Sequence, residues 1–215
     1  EGMLIAGTDD GNVQVSLDGG ANWRKSEHPP GLPDYNGYGV YVQRVYAGKS
    51  SEDVAYSLYE NSKNGDFKPY IYKSTNRGLS WTSIAGDLPA NGMALAFAED
   101  PVNPNLLFVG TEFGLWISPD SGKTWGEFKG GDFPSVAVRD LQVHPRDHDL
   151  VLATHGRGIW IIDDLTPLRN LTAEVMSSEA TFLPGRPVQQ RMPANGGWVE
   201  GDASFVGRNP PGGAV

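Results

Sequence analysis

The sequence predicts an all-β protein, a stretch of a β-propeller built from four-stranded antiparallel blades, with an incomplete ring and an irregular C-terminal tail. Three observations predict it. An eight-residue pattern, S-x-[DN]-x-G-x-x-W, recurs three times without gaps. The copies are spaced by about one propeller blade, roughly 40 to 50 residues. The 215 residues include 28 Gly, 16 Pro and 10% aromatic residues, while long apolar helical stripes are missing, a composition that favours short strands joined by turns.

The three copies are Ser16-Leu-Asp-Gly-Gly-Ala-Asn-Trp23, Ser74-Thr-Asn-Arg-Gly-Leu-Ser-Trp81 and Ser118-Pro-Asp-Ser-Gly-Lys-Thr-Trp125. With ordinary residue frequencies, four fixed positions coincide by chance on the order of once in 10^5 windows, so three coincidences in one short chain are a true repeat. Copies beginning at residues 16, 74 and 118 are 58 and 44 residues apart, and a further step of 44 lands on Ile162. There Gly158-Ile-Trp-Ile-Ile-Asp-Asp164 aligns with Gly114-Leu-Trp-Ile-Ser-Pro-Asp120. In this fourth copy the Asp survives as Asp164, but Ile162, Thr166 and Arg169 stand where the pattern has Ser, Gly and Trp.

One unit parses fully into strands over Met93 to Glu99, Leu106 to Gly110, Gly114 to Ser118 and Thr124 to Phe128, punctuated by Pro, Asn and Gly. The preceding unit repeats the order with Val40 to Tyr46, Val54 to Glu60, Tyr70 to Ser74 and Ser80 to Ile84, its extra length read as a loop over 61–67. The first unit begins at its second strand, Met3 to Gly7, and the last, Val136 to Asp164, lacks a clear fourth strand. The expected organisation is a propeller segment over 1–165, with blades at about 1–27 (partial), 38–86, 91–130 and 134–165 (partial). A tail, or the opening of a second β-domain, follows over 166–215, with Met176-Ser-Ser-Glu-Ala as linker. Because at least four blades close a ring, missing blades must come from elsewhere in a parent protein, from another chain or from oligomerisation.

Each residue type in the pattern has a separate job in the hairpin between third and fourth strands. Asp18, Asn76 and Asp120 can accept backbone N–H groups about two residues ahead, as in an Asx-turn, and Gly20, Gly78 and Gly122 permit positive φ. Ser16, Ser74 and Ser118 close the other side of the loop. Trp23, Trp81 and Trp125 each supply a large apolar plate to pack between neighbouring sheets. These are architectural tasks, not catalytic ones.

The formal net charge of −9 leaves no basic stripe for phosphates, which argues against nucleic acid as a partner. Cysteine is absent, which removes thiolate catalysis and zinc–thiolate sites. No apolar stretch approaches the roughly 20 residues of a spanning helix, so direct membrane insertion is not expected, and no cofactor is.

Because antiparallel strands reverse direction, the loops between second and third strands emerge on the face opposite the hairpins. They offer Asp9, Asp10, Lys63, Asp66, Glu112, Phe113, His155 and Arg157 as the candidate ligand face. His155 and Arg157 flank Gly156 and could clamp an acidic group, with Glu112 or the Asp9/Asp10 pair opposite; the alternative is a set of solvated turns. His144-Pro-Arg-Asp-His148 has the residue types of a metal cluster, but its histidines flank a turn on the other face, and no metal site is expected.

The repeated hairpins resemble the Asp-box, or BNR, repeats of sialidases, xyloglucanases, the sortilin ectodomain and photosystem II assembly-factor propellers. Val138-Arg-Asp-Leu-Gln-Val-His-Pro145 and Ala153-Thr-His-Gly-Arg-Gly-Ile-Trp-Ile-Ile-Asp-Asp164 look more like the large bacterial sortilin-like or BNR-repeat proteins that carry a glycosyl hydrolase name. In those, a tail like Asn209-Pro-Pro-Gly-Gly-Ala-Val215 leads into a β-sandwich, which implies an internal fragment of a longer exported protein: periplasmic, cell-surface or extracellular. No Arg-Ile-Pro segment occurs, and nothing in the spacing of Arg44, Arg139 and Arg157 makes a sialidase arginine triad. The resulting expectation is a non-catalytic scaffold presenting loops to a protein, peptide or glycan, or to other blades of the same propeller. The alternative is a sialidase- or xyloglucanase-like glycoside hydrolase using paired carboxylates, with catalytic residues unassigned.

Overall fold

The computed structural model describes residues 2–35 and 38–187. Strands β1 (Leu4–Gly7), β2 (Val13–Ser16) and β3 (Arg24–Lys25) form a three-stranded antiparallel sheet, blade 1. A small hairpin, β4 (Asp34–Tyr35) and β5 (Tyr38–Gly39), interrupts the connection to blade 2. Blade 2 comprises β6 (Tyr41–Ala47), β7 (Ala55–Asn61), β8 (Asp66–Ser74) and β9 (Thr82–Ser83). Blade 3 comprises β10 (Ala94–Glu99), β11 (Leu107–Thr111), β12 (Leu115–Ser118) and β13 (Gly126–Glu127). Blade 4 has three strands, β14 (Val138–Val143), β15 (Leu150–Thr154) and β16 (Ile159–Ile162), followed by α1 (Thr166–Arg169) and α2 (Ala173–Ser177).

The strands of each blade pair in sequence order, running from an inner to an outer strand in blades 2 and 3. Arg44 on β6 reaches Asp140 on β14 at 3.5 Å and donates to the Arg139 carbonyl at 3.2 Å. The inner strands of blades 2 and 4 therefore converge across blade 3, as strands lining a common axis must. Each complete inner strand also carries a register shift at one equivalent place: between Val42 and Arg44, Ala94 and Ala96, and Val138 and Asp140. An extra residue bends a strand and raises its twist, and its recurrence makes the bulge part of the repeat.

Three apolar cores fill the gaps between consecutive sheets. Val13, Val15, Tyr59, Tyr72 and Trp81 lie between blades 1 and 2. Tyr56, Ile71, Ile84, Phe97 and Trp125 lie between blades 2 and 3, and Phe108, Leu115, Leu141 and Leu152 between blades 3 and 4. Alternation along the strands sends successive side chains into successive cores, which is why β11 is buried throughout. The sheets do not close into a ring among the described residues.

The structure departs from the sequence expectations at five places. The loop expected over 61–67 is a tight hairpin: β7 runs to Asn61, a 3-10 turn occupies Ser62–Asn64, and β8 starts at Asp66. Pro69 is tolerated inside β8 because β9 covers only Tyr72 and Lys73, leaving β8 an edge strand at the proline. The fourth strands shrink to the two residues of β9 and β13. The β4–β5 hairpin has no counterpart in the sequence parse. Met176 and Ser177, expected as linker, lie in α2, whose N-cap Thr172 accepts a hydrogen bond from Val175. Trp23 is 45% exposed, against 5% for Trp81 and 6% for Trp125, because no sheet precedes blade 1 among the described residues. The part of the expected tail over 188–215, including Asn209 to Val215, lies outside the described residues.

Candidate functional site

The repeated hairpins build one face of the molecule. Ser16 Oγ donates to Asp18 Oδ1 at 2.8 Å and accepts from Gly20 N at 2.8 Å. Ser74 does the same with Asn76 and Gly78, at 2.9 and 2.9 Å, and Ser118 with Asp120 and Gly122, at 2.8 and 2.8 Å. The serine of each copy thus ties the acid or amide to the glycine amide, and all three serines are buried. The acid or amide reaches further than a two-residue Asx-turn: Asp18 accepts from Asn22 N at 2.9 Å, Asn76 from Ser80 N at 3.0 Å and Asp120 from Thr124 N at 2.9 Å.

Sequence reasoning missed the residue before each Trp. Asn22 Nδ2 donates to Asp18 Oδ2 at 2.7 Å, and Thr124 Oγ1 to Asp120 Oδ2 at 2.7 Å. At Ser80 the direction reverses, with Asn76 Nδ2 donating to Ser80 Oγ at 2.8 Å. Asn, Ser and Thr share no side-chain shape, but all three put a hydrogen-bonding group at the end of a short stem, and that was the available signal. The backbone bond from Asn22, followed by its side-chain bond and that of Ser16, holds the Asp18 carboxyl down at about 2. At Asp120 burial pushes the carboxyl up, but the Thr124 and Ser118 hydrogen bonds outweigh it and the net shift is downward.

The hairpins of blades 2, 3 and 4 are also laced to the turn between first and second strands of their own blade. Arg77 N donates to Asp53 O at 2.8 Å and its guanidinium pairs with Asp53 at 2.6 Å. Ser121 N and Oγ bond Asn105 at 2.8 and 2.7 Å, and Asp164 N bonds Asp149 Oδ1 at 2.9 Å. Arg77, Ser121 and Asp164 all have positive φ, at 61°, 65° and 54°. His144 and His148 sit in this lower layer with separate partners: His144 Nδ1 faces Asp147 at 3.3 Å and His148 Nδ1 lies 3.2 Å from Arg169.

The opposite face carries the candidate ligand residues, joined by hydrogen bonds that run from blade to blade. Gly39 N donates to Asp10 O at 2.9 Å and Gly92 N to Phe67 O at 3.0 Å, while within blade 4 His155 N donates to Ala137 O at 2.9 Å. Ser135 Oγ donates to Phe113 O at 3.1 Å. Asp10 is turned into its own loop, bonded by the Thr8 hydroxyl and by Asn12 Nδ2 at 2.6 Å; the Thr8 bond contributes most to holding its carboxyl low. Asp66 accepts from Tyr70 OH at 2.6 Å and Asn61 Nδ2 at 2.9 Å. Burial pushes Asp66 up, and those bonds bring it below the usual range. Asn61 also donates to Tyr35 OH at 3.0 Å.

Glu112 is half-buried and accepts from Met93 N at 3.4 Å, its one hydrogen-bond partner among the described residues. Asp9, His155 and Arg157 are exposed, and Arg157 Nη1 turns back to the Gly156 carbonyl at 3.3 Å. The structure therefore gathers Asp66 into a network with two residues the sequence analysis did not single out, Asn61 and Tyr70, and among the described residues gives His155 and Arg157 no acidic clamp partner. Exposed aromatic rings dominate what remains: Tyr41 at 40%, Phe67 at 43% and Phe113 at 50%. Lys63 Nζ stands 6.0 Å over the Tyr41 ring, and the Phe113 ring lies against Gly92, the residue bonded to the Phe67 carbonyl. Among the described residues no group of three or more His, Asp or Glu side chains is arranged to hold a metal ion.

This fold makes the chain a segment of a β-propeller, and similarity to known proteins agrees with it. No family model matches the chain. The chain is 32% identical over 128 residues to the xyloglucanase Xgh74A of Acetivibrio thermocellus, a match covering 51% of this chain and 14% of that protein. It is 30% identical over 119 residues to the vacuolar protein sorting/targeting protein 10 of Colletotrichum graminicola, covering 54% and 8%. Its fold superposes on the GH74 enzyme of Niastella koreensis with a TM-score of 0.53 at 16% identity, over 75% of this chain and 26% of that one. The chain thus spans a small fraction of the length of the curated relatives it matches.

Proposed function

We propose that this chain is an Asp-box segment of a propeller in an exported, sortilin-like or xyloglucanase-like protein, and that its loop face holds a glycan without cleaving it. The propeller part runs over 1–165, and 166–215 leads out of it. The observation that carries the reading is the row of exposed rings, Tyr41, Phe67 and Phe113, on the face opposite the hairpins. Aromatic faces are apolar plates that stack on the C–H faces of sugar rings, and their exposure costs solvation that such a ligand recovers. The acids beside them are already committed: Asp10 to its own turn and Asp66 to Asn61 and Tyr70. A saccharide is also the chemistry that the xyloglucanase relatives are named for.

The second reading is a glycoside hydrolase, favoured by those same relatives. It needs a raised acid and a carboxylate about 5 to 10 Å apart, and Glu112 is the one loop-face acid here that is half-buried and weakly held. Titration calorimetry with xyloglucan oligosaccharides and a panel of chromogenic glycosides separates the two. Binding without turnover, lost in Phe67→Ala and Phe113→Ala variants of unchanged melting temperature, supports the scaffold reading. Turnover abolished by Glu112→Gln overturns it in favour of the hydrolase.

A further inference from the structure

The loop between second and third strands is closed in one way in blades 1, 3 and 4 and in another in blade 2. Leu4 lies opposite Ser16, as Ala55 lies opposite Ser74, Leu107 opposite Ser118 and Leu150 opposite Ile162, so Thr8, Tyr59, Thr111 and Thr154 are equivalent. Each threonine closes its own loop: Thr8 Oγ1 donates to Asn12 O at 3.0 Å, Thr111 Oγ1 to Gly114 O at 3.2 Å and Thr154 Oγ1 to Gly158 O at 2.6 Å. Tyr59 closes no loop. It is 0% exposed, and its hydroxyl has no hydrogen-bond partner among the described residues. The Ser57 hydroxyl, on the same face of β7, is also buried and without a partner, so the two do not satisfy each other.

Tyr59 lines a pocket of about 150 Å³ between blades 1 and 2. The walls join buried residues, Val13, Pro29 and Tyr59, to exposed ones, Lys25, Glu27 and His28, so the pocket leads from the surface to the buried phenol. One side is closed by the β4–β5 hairpin, an insertion with no counterpart between blades 2 and 3 or blades 3 and 4. Gly39 N donates to Asp10 O at 2.9 Å and Tyr35 OH accepts from Asn61 Nδ2 at 3.0 Å, so the hairpin is tied to both blades. The approach is close enough that a Cβ on Gly11 would come within 2.7 Å of Gly39 Cα. The segment before the hairpin is fixed as well, with Tyr72 OH donating to Pro30 O at 3.3 Å and His28 Nε2 to Leu32 O at 2.9 Å. A buried hydroxyl without a partner, on the wall of a polar pocket assembled in this way, marks a place where a ligand supplies the missing bond.

We infer that this pocket is a subsite for one pyranose ring, with the Tyr59 hydroxyl bonded to a hydroxyl of that ring; the inference rests on the saccharide reading of the loop face. An apolar cavity of about 150 Å³ takes a six-membered ring such as benzene, and a polar pocket of that volume takes a hydroxyl-bearing ring of similar size. Burial pushes the Tyr59 phenol up to about 12, so at neutral pH it is an un-ionised hydroxyl that both donates and accepts, as a sugar hydroxyl does. Lys25 brings donors and Glu27 acceptors, and His28, with Nε2 donating to the Leu32 carbonyl, presents Nδ1 as an acceptor. Charges of both signs beside neutral groups suit a polyol better than a free anion or cation, and among the described residues no three His, Asp or Glu side chains are arranged to hold a metal. The register supplies the position: Val42 pairs with Tyr59 and Tyr41 with Glu60, so the exposed Tyr41 ring belongs to the next residue pair along the same two strands.

The test is an NMR titration of the full chain with D-glucose, D-xylose and D-galactose, each alone, and with xyloglucan oligosaccharides. At least one monosaccharide is expected to bind at millimolar concentration and to shift the Gly11, Ser26 and Gly39 amides. Tyr59→Phe removes only a hydroxyl that has no partner in the protein, so this variant should melt at or above the parent temperature while binding that monosaccharide about tenfold more weakly. Lys25→Met, at the exposed end of the pocket, should weaken it as well without touching the core. Monosaccharide binding unchanged in both variants would overturn the inference. So would a Tyr59→Phe melting temperature several degrees below the parent's, because the hydroxyl would then be bonded inside the protein. Oligosaccharide binding with no monosaccharide shift at these amides would overturn it and leave the glycan reading standing, whereas no binding of either would remove the glycan reading and this subsite together.

Discussion

Arg169 grips Asp100 through two nitrogens, Nε at 2.9 Å and Nη2 at 2.7 Å, in the place where the repeat elsewhere puts a tryptophan. Asp100 is fully buried and Arg169 nearly so, and Asp100 also caps the turn by accepting from Val102 N at 3.1 Å and Asn103 N at 2.7 Å. The decayed fourth hairpin thus replaces an apolar plate between sheets with an ion pair that pins α1 to blade 3. Leu165, at 0% exposure, supplies the adjoining apolar contact.

A buried pair punishes the loss of one partner more than the loss of both. Arg169→Met leaves the Asp100 charge buried beside two amides and is expected to cost about 3 to 5 kcal/mol of stability. Adding Asp100→Asn, which keeps the acceptor for Val102 and Asn103 but removes the charge, should recover a large part of that loss. Urea melts of the two single variants and the double variant give the coupling directly; additive losses would show that the pair carries no mutual stabilisation.

The second hairpin, with its amide, predicts what an amide does in the third. Asn76 satisfies Ser80 through reversed polarity, donating where Asp120 accepts from Thr124. A threonine hydroxyl can reverse in the same way, so Asp120→Asn is expected to melt within a few degrees of the parent. Asp120→Ala removes the acceptor for Ser118, Lys123 and Thr124 together and is expected to cost about 1 to 3 kcal/mol. Equal losses in both variants would mean that the charge, not the acceptor, holds the hairpin.

What was legible in the sequence follows from how local the cause is. Ser74, Asn76 and Gly78 act within one hairpin, and the strands around them follow from alternation and turn chemistry. The fate of a tryptophan is not local: Trp23 and Trp125 sit in the same motif, but Trp125 Nε1 donates to Ile84 O across the blade junction at 3.0 Å, whereas Trp23 Nε1 bonds Gly20 O in its own hairpin. Only a neighbouring sheet decides between them. The same reasoning explains the candidate site. The residue types of Asp10 and Asp66 announced chemistry, but their partners Thr8, Asn61 and Tyr70 consume them in structure. Of the candidate site's exposed rings other than Phe113, Tyr41 falls in an expected strand, where alternation reads an aromatic residue as core, and Phe67 falls in the expected loop over 61–67.

Gly122 is confined twice, by its backbone and by the blade junction. Its φ is 86°, and a Cβ there would come within 2.8 Å of both Ile84 Cβ and Ile84 O. Gly19 has a similar φ of 72° and open space around it. Gly19→Ala should cost only the left-handed penalty, about 1 to 2 kcal/mol, while Gly122→Ala should add about 1 to 3 kcal/mol for overpacking. Thermal melts of the two variants compare a purely conformational cost with a conformational cost plus a steric one; equal losses would place the Ile84 contact outside the stability of the junction.

Acid stability follows from the carboxyls that the hairpins hold low. Asp18 lies at about 2, and Asp120 and Asp164 are also depressed. An unfolded aspartate titrates near about 3.9, so the folded chain binds fewer protons than the unfolded chain between that value and the depressed one. Stability from these groups is fully present above about pH 4 to 5 and drains away as pH falls through the folded values toward about 2. The urea midpoint should therefore show no loss from these groups above about pH 5 and fall steeply below about pH 4. In Asp120→Asn the slope of that fall should be shallower, because one of the depressed carboxyls no longer takes up a proton on unfolding. A fall of unchanged slope in that variant would assign the acid transition to other carboxyls, with Asp18 the next to replace.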